Sequence, residues 1–188
     1  MIHASPTLVI AGSVRPRRLC LHIAEWVAGV GRDATGAAFE VVDLKDWPLP
    51  MDDEPGIPAV GLDYAFEHTR AWSRKIAAAP AFVFVTPQYN HGYPAALKNA
   101  LDHLFKEWAD KPAMIVTYGG HGGDRCAEKL RQVCQAFQMK VIGSGPGLRL
   151  TREQIVDNAG DIEPATAFAA HLEDLQRAFG EFACRADG

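Results

Sequence analysis

The sequence predicts a single α/β domain over residues 1–188, with a doubly wound, five-stranded parallel sheet and helices on both faces. Two observations lead to this fold class. Five short apolar runs, rich in β-branched residues, alternate with longer segments whose apolar residues recur at helical spacing. Strands separated by helices must be joined by crossovers, which in one sheet makes them parallel and places helices on both faces.

The predicted strands are short and mostly apolar on both faces, as is typical of strands covered on two sides. They cover residues 7–11, 39–42, 81–86, 113–118 and 140–142. The last of these has the weakest strand signal, because it begins with a lysine and spans only three residues.

Five helices are predicted, each with one apolar stripe. The stripes consist of Leu19, Ile23, Trp26, Val27 and Val30; Leu62, Phe66, Thr69, Trp72 and Ile76; Leu97, Ala100, Leu101, Leu104 and Phe105; Ala127, Leu130, Val133, Cys134 and Phe137; and Phe168, Leu172, Leu175, Phe179 and Phe182. Two further stretches, 46–61 and 143–160, are rich in proline or glycine, so we expect them to be irregular.

Composition argues against several classes of partner. The formal net charge is −4 and the basic residues are scattered, which disfavours a nucleic-acid surface. No apolar run approaches the roughly 20 residues that cross a bilayer, and the first residues do not resemble a signal peptide. The four cysteines have no zinc-ligand spacing, so we expect reduced thiols, no metal site and a cytoplasmic protein.

Ligands of open α/β sheets bind beyond the carboxyl ends of the strands, where the strand order reverses. The loop after the first strand, residues 12–18 (GSVRPRR), offers a hydroxyl, three guanidinium groups and the amino end of a helix, which suit a phosphate monoester. It lacks the GxGxxG and GxxxxGK[ST] patterns of dinucleotide and triphosphate loops. The alternative interpretation is a plain strand-to-helix turn with solvated arginines.

The loop after the third strand, residues 86–94 (TPQYNHGYP), is stiffened by two prolines and carries two tyrosines. It can present backbone amides and aromatic faces to a planar heterocycle. The alternative is a rigid connector whose Tyr89 and Tyr93 only pack. Lys98, Asn99 and Asp102 follow in the next helix, where polar residues often cap, pair or face water, and no role is assigned to them.

The loop after the fourth strand, residues 118–124 (YGGHGGD), has four glycines in five positions. Glycine lets a backbone approach a flat ligand closely and adopt positive φ without steric cost. His121 in this loop can contact such a ligand or a nicotinamide, although an exposed histidine is more often an ordinary loop residue.

Together the three loops resemble the NAD(P)H-dependent FMN reductase family of flavodoxin-like proteins. GSxR, PxYNxxxPxxLKNAxDxL and GGxGG occur here in the family's order and spacing, from about residue 8 to residue 142. Within the family, the chain is most similar to the fungal-type quinone reductases. It departs from the family pattern at Arg18 and Cys20, where many members have serine and asparagine.

The resemblance implies a cofactor site for FMN and no catalytic side chain. Ser13 and Arg15, with Arg18 close by, would hold the FMN phosphate. Two further groups would border the isoalloxazine ring and ribityl chain: Pro87, Gln88, Tyr89 and Asn90 on one side, and Tyr118, Gly119, Gly120, His121, Gly122 and Gly123 on the other.

The function implied is hydride transfer from NADPH or NADH through FMN to a flavin, quinone or similar planar acceptor. Arg17 or Arg18 would favour NADPH by binding its extra phosphate. The resemblance also implies a homodimer or homotetramer. Two alternatives are a flavodoxin-like electron carrier, which the small net charge disfavours, and a binding module whose partner surface responds to flavin redox state.

Overall fold

A computed structural model describes residues 5–51, 53–61, 63–142, 145–157 and 159–186. Within these ranges the chain forms one sheet in which every pairing between strands is parallel. The strands in chain order are β1 (Thr7–Ala11), β2 (Phe39–Asp43), β3 (Phe82–Pro87), β4 (Pro112–Gly119), β5 (Lys140–Val141) and β6 (Gly147–Arg149). Their spatial order is β2-β1-β3-β4-β5, and β6 also pairs with β4. The predicted parallel sheet is confirmed.

Helices alternate with these strands. In chain order they are α1 (Cys20–Thr35), α2 (Glu67–Ala78), α3 (Ala95–Asp102), α4 (Asp124–Ala136), α5 (Arg152–Val156), α6 (Pro164–Ala167) and α7 (Leu172–Ala186). The five predicted stripes belong to α1, α2, α3, α4 and α7. Each stripe extends beyond one end of its helix: Leu19, Phe66 and Phe168 precede α1, α2 and α7, Leu104 and Phe105 follow α3, and Phe137 follows α4. Leu62 lies outside the described residues.

The sheet divides the core into two layers, because successive residues of a strand point to opposite faces. In β3, Val83 and Val85 pack with α1 and α7 on one face. Phe82 and Phe84 pack on the other face with residues of α2 and α3. Helices therefore cover both faces, as the sequence predicts. No helix in the described ranges is long and apolar enough to cross a membrane.

The strand position beside β4 is filled by two short strands instead of one. β5 pairs with Pro112 and Ala113 at the start of β4, whereas β6 pairs with Thr117–Gly119 at its end. The prediction that 143–160 is irregular is wrong for β6 and α5, because elements of three and five residues are too short to show a period in sequence. Gly143, which contributed to that prediction, lies outside the described residues.

The strand order fixes where a ligand can bind. From β1 the chain moves to β2 on one side, and β3 then pairs with the other side of β1. The order reverses between β1 and β3, which opens a crevice at their carboxyl ends. The loops after β1, β3 and β4 all lie at this edge of the sheet.

Candidate functional site

A cleft of about 300 Å³ lies at the carboxyl ends of β1, β3 and β4, and this volume is at the lower end of small-molecule sites. Eight of the thirteen predicted site residues line it: Arg15, Arg18, Pro87, Gln88, Tyr89, Tyr118, Gly119 and Gly120. Five lining residues were not among the predicted contacts: Arg17, Leu19, Leu150, Gln154 and Ile155. The structure therefore brings the three predicted loops together around one cavity.

The β1 side of the cleft carries exposed positive charge. Arg15 and Arg17 are both exposed, and among the described residues neither pairs with a carboxylate. The Arg15 guanidinium stacks on the Tyr89 ring, 3.8 Å from its centroid, which orients it across the loop after β3. Two guanidinium groups open to the cleft form a suitable site for a phosphate.

Ser13 does not line the cleft. Its side chain is fully buried, and its Oγ lies 2.9 Å from the Tyr89 hydroxyl, in hydrogen-bond contact. The hydroxyl predicted to hold a phosphate therefore fixes Tyr89 in this structure.

Arg18 is engaged differently from Arg15 and Arg17. Its guanidinium forms an ion pair with Asp43 at the end of β2, and both side chains are only 9% exposed. A second nitrogen donates to the Arg15 carbonyl, 3.3 Å away. The Nε atom is buried without a hydrogen-bond partner among the described residues, so one donor of this cation remains for a ligand.

The loop after β3 is held rigidly. A tight turn closes through two backbone hydrogen bonds between Tyr89 and Gly92, with Asn90 and His91 at φ of 49° and 67°. Asn90 is exposed at the tip of this turn and does not line the cleft, and its contact with FMN stays a prediction. The Gln88 side-chain oxygen accepts a hydrogen bond from the Cys126 backbone N–H, and the Gln88 backbone N–H donates to the Tyr118 carbonyl.

The glycines after β4 divide into two pairs. Gly119 and Gly120 line the cleft, whereas Gly122 and Gly123 are buried beneath it, and His121 is exposed outside the lining. Gly123 has φ of 88°, and a Cβ there would lie 2.8 Å from the Thr117 Cβ. The two buried glycines therefore shape the turn into α4, and the contacts of His121, Gly122 and Gly123 with a ligand stay predictions.

The far wall of the cleft is formed by a segment that the sequence analysis missed. Leu150 follows β6, and Gln154 and Ile155 belong to α5. Ile155 lies over Gly120, where a Cβ would be 3.3 Å from the isoleucine Cδ1. One sequence signal was available: Thr151 and Gln154 form a capping box at the start of α5, which has the T-x-x-Q pattern.

Burial keeps three cysteine thiols and the Tyr118 hydroxyl in their neutral forms. Burial raises the pKa of Cys20 to about 11, and it raises the pKa of both Cys126 and Cys134 to about 12. Burial also raises the pKa of Tyr118 well above its usual range. None of these buried thiols is a thiolate at neutral pH, so they are poor nucleophiles and poor redox groups.

The residues present fit FMN. The unpartnered Arg18 Nε and the open guanidinium groups of Arg15 and Arg17 are donors for a phosphate. Across the cleft, the loops after β3 and β4 offer an uncharged wall for a planar ring.

Comparison with known proteins identifies the family. The model described as NADPH-dependent FMN reductase matches residues 6–148. This chain belongs to the NADPH-dependent FMN reductase family. The resemblance inferred from the three loops is confirmed, and the family match ends before Leu150 and α5.

Two curated members of this family are fungal, in agreement with the predicted subgroup. An NAD(P)H-dependent FMN reductase of Schizosaccharomyces pombe is 56% identical over 176 residues, which cover 93% of this chain and 87% of the relative. One from Saccharomyces cerevisiae is 47% identical over 145 residues, covering 72% and 76%. Among solved structures, an oxidoreductase from Corynebacterium diphtheriae matches with a TM-score of 0.72, at 18% identity and 98% coverage of both chains, which confirms the fold.

Proposed function

We propose that this chain is an NAD(P)H-dependent FMN reductase that passes a hydride from NADPH or NADH through FMN to a flavin, quinone or similar planar acceptor. One observation carries the proposal: the three loops that resemble the family converge on one cleft with cationic and uncharged sides. Family membership favours this function over the electron carrier and the redox-responsive binding module.

The β1 side would hold the phosphate of FMN. Arg15 is exposed there, and a guanidinium binds phosphate through paired, charge-assisted hydrogen bonds. Arg18 contributes less charge, because Asp43 neutralises it, but its unpartnered Nε is a further donor. Tyr89 positions Arg15 by stacking and is itself held by Ser13.

The β3 and β4 sides would hold the isoalloxazine ring. Pro87 to Tyr89 and Tyr118 to Gly120 present backbone and ring surface along the cleft, and Ile155 and Leu150 cover the opposite wall. Bound FMN would supply the chemistry of hydride transfer between nicotinamide and acceptor, and the proton that completes reduction of the acceptor would come from water in the open cleft. The protein's task is to position the two substrates in turn over one open face.

The preferred nucleotide and acceptor follow from the rim of the cleft. Arg17 is exposed there and would favour NADPH through its extra phosphate. An open site discriminates poorly among planar acceptors, so several quinones and flavins should be reduced. We further propose that the chain acts in the cytoplasm as a homodimer or homotetramer, which light scattering would detect as two or four times the mass of one chain.

Anaerobic reduction tests the proposal directly. Purified full-length protein is loaded with FMN and mixed with NADPH or NADH while the flavin absorbance is recorded. We expect the absorbance to fall with at least one nucleotide and to recover when a quinone is added. If FMN binds but neither nucleotide reduces it, the protein is an electron carrier or a binding module instead.

A further inference from the structure

Two histidines and an aspartate meet at a second place in the fold, between the loop after β2 and the helices α2 and α3. Asp53 lies in that loop, His68 lies in α2, and His103 directly follows α3. One possible ligand atom from each residue lies within 4.8 Å of the others. None of the three lines the flavin cleft.

Two buried polar atoms of this cluster lack a hydrogen-bond partner, although their side chains are in contact. His68 Nε2 lies 2.9 Å from Asp53 Oδ2. Nevertheless, within the described ranges His68 Nε2 and Asp53 Oδ1 are buried without a hydrogen-bond partner. Buried polar atoms in native proteins nearly always have a partner, so this pair points to a missing third group.

His103 has the arrangement of an oriented metal ligand. The residue is 4% exposed, and its Nε2 lies 2.8 Å from the Pro50 carbonyl oxygen. A carbonyl only accepts, so Nε2 carries a proton, and Nδ1, 3.1 Å from the Thr69 hydroxyl, is the ring nitrogen left to bind a metal ion. Metal-binding histidines commonly donate their other ring N–H to a backbone carbonyl in this way.

We propose that Asp53, His68 and His103 form a site for one divalent transition-metal ion, with Zn²⁺ the best match. Two imidazoles and one carboxylate are ligands that zinc prefers, whereas magnesium and calcium take oxygen ligands. At His103 the ion would replace the Thr69 hydroxyl. The proposal does not depend on flavin chemistry.

The surroundings provide access and a fourth ligand. A cavity of about 130 Å³ adjoins the cluster and is lined by Asp53, Glu54, Asn99, Asp102 and His103, among others. It is polar and large enough for water, which would complete a tetrahedral site. A bound ion would tie the loop after β2 to both helices, and so it would stabilise the folded chain.

Calorimetric titration with ZnCl₂ tests the site. All variants carry Cys184→Ser, because the exposed Cys184 thiol would compete for zinc, and the protein is tag-free and chelator-treated. We expect one ion per chain, with binding at least tenfold weaker in His68→Gln and in Asp53→Asn. His22→Gln is the matched control, because His22 also faces an aspartate, Asp161 at 3.7 Å, and should bind zinc as the parent does.

Thermal unfolding provides a second measurement that needs no enzyme activity. Zinc should raise the Tm of the Cys184→Ser parent and of His22→Gln, but not that of His68→Gln. If the parent takes up no zinc, or if His68→Gln and Asp53→Asn take it up as the parent does, the proposal is wrong and the cluster is only a histidine–aspartate pair. Equal FMN affinity of all variants would show that the flavin site is intact in either case.

Discussion

The β1 side of the cleft presents charged side chains, whereas the β4 side presents backbone. Arg15, Arg17 and Arg18 act through guanidinium groups that a substitution can remove without altering the chain path. Gly122 and Gly123 act through conformations that a side chain would obstruct. The two sides should therefore respond differently to mutation: the first through charge and pairing, the second through stability of the turn.

The largest loss of stability should come from substituting Arg18, the buried arginine on the β1 side of the cleft. Arg18→Gln leaves Asp43 without its cation although that carboxylate is only 9% exposed. Breaking a buried ion pair in this way costs about 3–5 kcal/mol of the free energy of unfolding, which urea denaturation measures. The double variant with Asp43→Asn should recover part of the loss. If Arg18→Gln alone were as stable as the parent, the Arg18 guanidinium would be solvated and its ion pair with Asp43 would contribute no stability.

Gly123→Ala, in the turn after β4, should destabilise the folded protein by less than Arg18→Gln does. The positive φ of 88° costs a non-glycine residue roughly 1–3 kcal/mol, and the close approach to Thr117 adds to this. Gly180→Ala in α7 is the control: nothing lies within 4 Å of the added Cβ, so the change should stabilise the helix by about 0.5–1 kcal/mol. If the free energy of unfolding changed with the same sign in both variants, the turn after β4 would not depend on glycine at position 123.

Arg15→Gln should separate binding from stability. The side chain is exposed, so we expect an unchanged Tm, whereas FMN should bind roughly tenfold to a hundredfold more weakly through loss of a charge-assisted bond. Quenching of flavin fluorescence measures the Kd. Arg32→Gln, at the far end of α1, provides the matched loss of charge and should leave the Kd as it is. Equal losses of FMN affinity in Arg15→Gln and Arg32→Gln would indicate an effect of net charge instead of a specific contact by Arg15.

Tyr89→Phe should have the smallest effect. It keeps the ring on which Arg15 stacks but removes the hydroxyl in contact with the buried Ser13, which costs about 1 kcal/mol. Tyr93→Phe removes a hydroxyl that has no hydrogen-bond partner among the described residues, and it should be neutral in the same denaturation experiment. Equal changes in the free energy of unfolding for Tyr89→Phe and Tyr93→Phe would mean that Ser13 does not hold Tyr89.

The elements that sequence predicted well are long or fully buried. β1 and β3 have continuous apolar runs, and α1 repeats its apolar residues over four turns, so local pattern and final structure agree. The position of the three loops followed from topology, since parallel strands end at one edge of the sheet. What local pattern could not supply was the direction of individual side chains. Asn90 and His121 turned out to lie outside the cleft lining.

Contacts between distant segments account for the other differences. Arg18 and Asp43 are 25 residues apart, and nothing in the arginine-rich loop indicates that one of its cations is already paired. The expectation that the chain has no metal site rested on local spacing of cysteine and histidine, and the zinc titration proposed above tests it. Asp53, His68 and His103 come together only because the loop after β2 folds between α2 and α3.

The two short strands beside β4 separate the wall formed by α5 from the rest of the cleft. Gly119 and Gly120, which line the cleft, belong to the part of the chain that the family model matches, whereas Ile155 lies beyond it. Because α5 is attached through β6 to the end of β4, it can be remodelled without moving the strands that carry the cofactor loops. Substitutions in α5 should therefore reshape the far wall of the cleft while the loops after β1, β3 and β4 keep their positions.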